Sequence, residues 1–221
     1  AKPVWKGIQE AAEAAYDRTS ACSFTTFVAY EYTLSPLGTS MHRNVIFRNA
    51  TALPAPITYY DAPRAIDLWT TLRATCNDAG NGCDALAIPH NSNYSNGRLF
   101  HVEYWGKKGI DDERKQAALR AEMEPLVEIY QHKGDSECMP GTSAGDELCG
   151  FEKLPYAGLT GANLDFETPP SPTDFIRHAL GEGIRLEQTL GANPFEYGII
   201  ASTDTHIATP GNVSETTFPG H

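Results

Sequence analysis

The expected fold is decided by one unit near the middle of the chain, residues 63–91, which reads PRAIDLWTTLRATCNDAGNGCDALAIPHN. Pro63–Asp78 carries apolar residues at helical spacing and predicts an amphipathic helix. After a turn-rich segment comes the short apolar run Ala85–Ile88, which predicts a buried strand that ends just before His90. A helix that leads into a buried strand is typical of an α/β fold.

The same alternation continues on both sides of this unit. Helices are also predicted at Ala1–Arg18, Asp111–Met123 and Thr173–Leu190, and strands at Phe24–Thr33, His42–Arg48, Pro125–Gln131 and Tyr197–Ser202. Residues 132–172 are rich in Gly, Pro and Ser, and such a long irregular segment is often functional. The strands are therefore expected to be parallel, in one domain that spans 1–221.

The charge of the chain argues against several classes of partner. The chain has 17 Lys and Arg against 28 Asp and Glu, a net charge of −11, and its longest basic run is Lys107–Lys108. Nucleic-acid binding and attachment to an anionic membrane surface both depend on a basic face. No apolar stretch approaches the roughly 20 residues of a membrane helix. We expect no nucleic-acid partner and no membrane span.

Four of the five cysteines form two close pairs in the sequence. Cys76 and Cys83 bracket one turn-rich segment, and Cys138 and Cys149 bracket another, while Cys22 is left over. Each pair could close a loop as a disulfide in an oxidising compartment, which favours a periplasmic or secreted protein. Five unpaired thiols in a cytosolic protein is the alternative, because the sequence does not determine connectivity.

Candidate metal ligands follow three of the predicted strands. Glu31 lies near the end of one strand, His90 directly follows another, and Asp204 and His206 follow the last. In parallel α/β folds the segments beyond the carboxyl ends of the strands meet at one rim, so these residues are expected to converge. Imidazole and carboxylate groups together suit Zn, Mn or Fe.

Each of these residues also has an ordinary structural interpretation. His206 and Asp204 share one side of an extended segment, but a hydrogen-bonded loop histidine fits the same pattern. Glu31 lies in an apolar strand, where its carboxylate needs a hydrogen-bond or ion-pair partner, a bound metal or a position on the solvent-exposed face. Asn91 and Asn93 could donate hydrogen bonds to an oxyanion, or could form an Asx-rich turn.

Further polar residues surround these candidates. His42 begins a strand beside Arg43, and a cation next to a candidate ligand often serves an anionic substrate; solvation at a strand edge is the alternative. Another polar group lies on and after the strand Pro125–Gln131 and contains Glu128, His132, Lys133 and Glu137. At least half of that group is expected to be solvated. His101 and His178 are expected to lie outside the site.

Taken in order, six short segments resemble a known family. They are Tyr30–Thr33, His42–Asn44, Ile88–Asn93, Glu124–Ile129, Phe195–Gly198 and Ser202–His206. This ordered set resembles the bacterial domain-of-unknown-function family 3604, which is similar to the PHP (polymerase and histidinol phosphatase) superfamily, over nearly the whole chain. The resemblance implies a PHP-like distorted (β/α)7 TIM-type barrel that binds up to three metal ions at its carboxyl rim.

The resemblance also implies roles for individual residues. Glu31 would bridge two metal ions, His90, Asp204 and His206 would be ligands, and His42 would be a further ligand. The superfamily opens with a His-x-His strand and an Asp-His strand end, and neither occurs in this sequence. We therefore expect an incomplete barrel without its first strands, and a segment of a longer protein that is truncated at its N-terminus and also at its C-terminus.

Residues and resemblance together predict a metal-dependent hydrolase of phosphate or phosphonate esters. Two or three divalent ions (Zn, Mn or Fe) in the intact protein would activate water as the nucleophile. The predicted catalytic residues are Glu31, His90, Asp204 and His206, and the residues predicted to bind a small anionic substrate are Arg43, Asn91, Asn93 and Lys133. Two alternatives stay open: a glycoside hydrolase that uses two of Glu31, Glu128 and Glu137, and a non-catalytic binding protein on a degenerate barrel.

Overall fold

The computed structural model describes residues 2–101, 109–142, 146–153, 159–160, 163–164 and 170–206. The helices within these residues are α1 (Lys2–Ala15), α2 (Ala65–Leu72), α3 (Ile110–Met123) and α4 (Ile176–Leu190). The strands are β1 (Val28–Tyr32), β2 (Arg43–Phe47), β3 (Ala85–Pro89), β4 (Leu126–Gln131), β5 (Gly134–Asp135), β6 (Leu159–Thr160), β7 (Asn163–Leu164) and β8 (Gly198–Ala201). Every helix and strand predicted from the sequence is confirmed, although most are shorter than predicted.

The strands form three small sheets. In the first, β1, β2 and β3 are neighbours in that order and antiparallel throughout. In the second, β4 lies between β5 and β8, antiparallel to β5 and parallel to β8. The third pairs β6 with β7. Among the described strands, the expectation of parallel pairing therefore holds only for β4 and β8.

The described residues form no closed barrel, so the predicted (β/α)7 TIM-type barrel is wrong. Residues 33–42, which join β1 to β2, are fewer than the dozen or more that a parallel crossover needs. These two strands consequently form an antiparallel pair. The chain between β2 and β3 does contain α2, yet β3 also runs antiparallel to β2.

Two apolar clusters form the core. The first packs β1, β2 and β3 against α1 and α2, and includes Trp5, Val45, Phe47, Trp69 and Leu72. The second packs β4 against α3 and α4, and includes Phe100, Ala117, Val127, Ile176 and Phe195. Packing of these buried faces fixes the positions of the two larger sheets. The loops that begin at the ends of their strands therefore start from fixed positions.

The cysteine pairs predicted from the sequence are confirmed. Cys76 bonds to Cys83 and Cys138 bonds to Cys149, while Cys22 is free and exposed. The alternative of five unpaired thiols is therefore wrong, and the two disulfides indicate an oxidising compartment. As for the bilayer, none of the helices in the described ranges combines the length and the apolar character that crossing it requires.

Candidate metal centre

Three of the candidate ligands meet because β1, β2 and β3 are antiparallel neighbours. The register pairs Tyr32 with Arg43, and Arg43 with Pro89. The end of β1, the start of β2 and the end of β3 therefore lie at one edge of this sheet. The expected convergence occurs here, but through an antiparallel register rather than through the rim of parallel strands that the sequence had suggested.

Glu31, His42 and His90 form a close group at this edge, which we call the Glu31 cluster. Glu31 Oε1 lies 2.5 Å from Nδ1 of His42. The ring centres of His42 and His90 are 4.8 Å apart. One ligand-type atom from each of the three residues lies within 4.8 Å of the other two. A carboxylate with two imidazoles is a donor set that zinc, manganese and iron accept.

The Glu31 carboxylate is ionised at neutral pH. Its pKa is lowered to about 2, mainly because His42 hydrogen-bonds to it, while burial acts in the opposite direction. Electrostatic interaction with the nearby side chains of His42, His90 and His206 lowers the pKa further. Since a carboxylate must be deprotonated to bind a metal, Glu31 is in the state that a ligand requires.

His90 is buried in a neutral form. Burial lowers its pKa to about 4, and the charges of His42 and Lys133 act in the same direction. Its Nδ1 lies 2.7 Å from the backbone oxygen of Asn91, and its Nε2 lies 3.3 Å from Ser40 Oγ. When Nδ1 donates to that carbonyl, Nε2 carries the lone pair, which is the arrangement of most metal-bound histidines.

The other two candidate ligands lie after β8, and they differ in what they touch. His206 Nε2 is 3.9 Å from Glu31 Oε2, and its Nδ1 is 2.6 Å from the backbone oxygen of Asp204. The Asp204 carboxylate lies 2.7 Å from the ammonium group of Lys133. The backbone φ of Asp204 is 56°, in the left-handed region that non-glycine residues rarely adopt. His206 is thus beside the Glu31 cluster, and Asp204 is held by Lys133.

His132 belongs to the same neighbourhood, although the sequence analysis left it out of the site. Its Nδ1 is 2.9 Å from the backbone oxygen of Thr203 and 3.7 Å from Asp204 Oδ2. The ring centres of His132 and His206 are 6.4 Å apart. The signal was present in the sequence, because His132 directly follows the buried strand β4 as His90 directly follows β3.

Asn91 and Asn93 join β3 to the turn after β4. The side-chain amide of Asn91 donates to the backbone oxygen of Gly134 at 2.7 Å, and that of Asn93 donates to the backbone oxygen of Lys133. The backbone N–H of Asn93 donates to the side chain of Asn91 at 2.9 Å. These contacts are those of the Asx-turn alternative, and they commit both amide groups to the backbone.

Arg43 lies on the opposite side of its strand from the Glu31 cluster. Side chains alternate along a strand, and Arg43 shares the buried face of β2 with Val45 and Phe47. Its Nε donates to the buried carboxylate of Glu124 at 2.8 Å. The structure therefore places the guanidinium group of Arg43 in the core and not beside His42.

The two other carboxylates that a glycoside hydrolase could use are both engaged. Glu128 is buried and accepts hydrogen bonds from the backbone of Asn91 and the side chain of Gln131, each at 2.8 Å, and from Ser202. Glu137 forms an ion pair with Arg177 on the surface. With these partners, neither carboxyl group is available for proton transfer to a sugar.

The donor set of the Glu31 cluster fits one divalent ion after a small change of spacing. Ligand bonds to zinc are about 2.0–2.2 Å for nitrogen and oxygen, so two ligands of one ion lie about 3 Å or more apart. The 2.5 Å between Glu31 and His42 is the length of a hydrogen bond with a proton between the atoms. Binding an ion here would release that proton and move the two groups apart slightly.

Comparison with known proteins finds one family. A family model described as "Protein of unknown function (DUF3604)" matches residues 1–221. No curated protein and no solved structure is significantly similar to the chain.

Proposed function

The chain belongs to the DUF3604 family, and we propose that it is a metal-dependent hydrolase of phosphate or phosphonate esters. The observation that carries this proposal is the Glu31 cluster, in which one carboxylate and two imidazoles offer ligand atoms within 4.8 Å of one another. An ionised Glu31 and a neutral His90 are in the protonation states that metal ligands need.

A bound divalent ion would acidify a water molecule and neutralise the oxygens of a phosphoryl group. The protein itself contributes the geometry. Ser35 Oγ lies 2.9 Å from His42 Nε2, and the carbonyl of Asn91 lies 2.7 Å from His90 Nδ1, so each ring is held through its second nitrogen. Such outer contacts fix ring orientation and raise ligand basicity.

His206 and Lys133 are the next residues of the proposed site. His206 Nε2, 3.9 Å from Glu31 Oε2, is within reach of a fourth ligand position. The ammonium group of Lys133 is close enough to influence the pKa of His90, and its positive charge suits an anionic ester. We assign Lys133 to substrate binding, with Asp204 holding its ammonium group at 2.7 Å.

The two disulfides support a periplasmic or secreted location for this activity. The ligands that we propose for this site are metal ions and small phosphate or phosphonate esters.

Metal retention tests the proposal directly. The natural protein is loaded with ZnSO4 or MnCl2, dialysed, and analysed for bound metal by mass spectrometry. We expect the protein to keep at least one ion per chain, and Glu31→Gln and His90→Ala to lower the affinity for that ion by at least about tenfold. The matched control is His178→Ala, because His178 is exposed on α4 and should leave metal content unchanged.

Hydrolysis of 4-nitrophenyl phosphate is measured on the same samples. Activity should disappear on exhaustive chelation and return when the ion is restored. Full activity without metal, or the same metal content in Glu31→Gln, His90→Ala and the natural protein, would show that the Glu31 cluster is not the site.

A further inference from the structure

A cavity separate from the Glu31 cluster opens on the far side of the loop between β1 and β2. This cleft has a volume of about 900 Å³. Leu34, Pro36 and Met41 of the loop line the cleft, whereas Ser35 and His42 of the same loop interact within the Glu31 cluster. The loop therefore forms a wall between the cleft and the candidate metal centre.

The ionisable residues that line this cleft are all basic, in contrast to the whole chain, although Arg64 pairs with Asp67 beside the cleft. Its basic residues are Arg43, Arg64, Arg98, His101 and Arg120. No Asp or Glu is among the described residues that line it, although the chain carries a net charge of −11. A concave surface with one sign of charge concentrates ligands of the opposite sign. Arginine is also the side chain best suited to bind carboxylate and phosphate groups with two hydrogen bonds.

The inner part of the cleft contains a buried charge cluster. Arg43 and Arg120 are only 1% and 2% exposed, and both donate to the fully buried carboxylate of Glu124. Trp69 donates to the same carboxylate at 2.8 Å. This arrangement combines two positive charges with one negative charge. An anionic group in the cleft would be attracted by the additional positive charge in a region of low dielectric constant.

The outer part of the cleft carries Arg98, which is exposed. Within the described part of the chain, the guanidinium group of Arg98 has neither a hydrogen bond nor an ion pair. Its backbone, however, is fixed: the N–H of Arg98 donates to Ser95 at 3.1 Å, and the N–H of Gly97 donates to the buried Asp174 at 2.5 Å. The side chain thus extends from an anchored loop and has no partner among the residues that the structure describes.

The remaining surface of the cleft is mostly apolar. Leu34, Met41, Ile66 and Trp69 provide aliphatic and aromatic side chains beside the arginines. A cavity with an apolar surface and a few convergent charged groups is typical of small-molecule sites. The matching ligand has an apolar body and one anionic group.

We propose that this cleft binds a small organic anion, whose carboxylate or phosphate group pairs with Arg98 and whose apolar body contacts the partly exposed Met41 and Ile66. The proposal does not depend on the metal centre, since none of the Glu31 cluster residues lines the cleft. Arg43 and Arg120 provide the buried positive charge behind the bound anion.

Calorimetric titration of the natural protein, treated with EDTA and then dialysed free of it into metal-free buffer, tests this site. The probes are 3-phenylpropionate and phenyl phosphate, and the uncharged control ligand is 3-phenylpropan-1-ol. EDTA removes any ion from the Glu31 cluster, so binding that persists arises elsewhere. We expect at least one anion to bind, at least about tenfold more tightly than the alcohol, because only the anion can form a charge-assisted hydrogen bond with Arg98.

Arg98→Gln should weaken binding of that anion by about tenfold or more without changing the thermal midpoint. The control is Arg48→Gln, since the side chain of Arg48 is 80% exposed, pairs with Asp84 and does not line the cleft. The better-bound probe identifies the head group as carboxylate or phosphate. The proposal is overturned if neither anion binds, if the alcohol binds equally well, or if Arg98→Gln binds as tightly as Arg48→Gln.

Discussion

Glu124 provides the strongest test of how the protein is held together around the cleft. Its carboxylate is fully buried and accepts three hydrogen bonds, from Arg43 at 2.8 Å, Trp69 at 2.8 Å and Arg120 at 3.1 Å. Because these donors come from β2, α2 and α3, one side chain links three elements. Glu124→Ala removes the carboxylate and leaves two guanidinium groups buried beside each other.

The expected loss of stability is large. Removing one partner of a buried ion pair typically costs about 3–5 kcal/mol, because the remaining charge stays buried without compensation. For a protein of this size each kcal/mol lowers the thermal midpoint by about 2–4 °C. We therefore expect Glu124→Ala to lower the midpoint by roughly 6–20 °C.

Glu122 is the matched control, since it lies two residues earlier, in the last turn of α3, and Glu124 directly follows that helix. Its side chain is 48% exposed and pairs with Arg73 at 2.6 Å on the surface. An exposed ion pair contributes about 0–1 kcal/mol, so Glu122→Ala should have little effect. Because both variants lose a glutamate, the difference between their free energies of unfolding measures the effect of burial.

Urea unfolding followed by tryptophan fluorescence and circular dichroism measures the difference. If Glu124→Ala does not fold, Glu124→Gln provides the comparison, because its amide oxygen still accepts a hydrogen bond and its loss should be smaller. A loss of less than about 1 kcal/mol for Glu124→Ala, or a loss equal to that of Glu122→Ala, would refute the reasoning.

Two further predictions concern the residues around His90 and the loop that carries Arg98. Burial lowers the pKa of His90 from 6.5 to about 4. Between these two pH values the unfolded chain binds a proton at His90 and the folded chain does not. The free energy of unfolding should therefore fall by up to about 3 kcal/mol as the pH drops from about 6.5 to 4. Urea unfolding at several pH values should show this loss in the natural protein and a smaller one in His90→Gln. A Cβ on Gly97 (φ +69°) would lie 2.4 Å from Thr173 Oγ1, so Gly97→Ala should cost about 1–3 kcal/mol more than Gly80→Ala, which has the same φ and open space. Equal midpoints in thermal melts of these two glycine variants would contradict the packing argument.

The secondary structure could be predicted because its causes are local. Apolar residues at helical spacing identify α1, α2 and α4, and short apolar runs identify the longer strands. The strand Ala85–Pro89 illustrates the limit of this signal, since a short buried apolar run looks the same in a parallel and an antiparallel sheet. The apolar runs therefore did not distinguish the parallel barrel that the family resemblance implied from the three antiparallel strands that the structure shows.

The candidate site was predicted in part. Glu31, His42 and His90 were selected because each lies at the end or beginning of a strand, and strand ends remain at the edge of a sheet in either orientation. Arg43 was assigned to the same site because it is adjacent to His42 in sequence. Because side chains alternate between the two faces of β2, the side chain of Arg43 instead lies in the core, where it donates to Glu124.

By itself, then, the sequence determined the elements, the acidic charge and the residues available for metal binding. These follow from residue type and from spacing over a few positions. Only the tertiary structure decided which strands are neighbours, which face of β2 each side chain occupies, and that arginines from separate segments line one cleft. Those outcomes depend on contacts between residues far apart in the chain, such as Arg43 with Glu124, which local patterns do not encode.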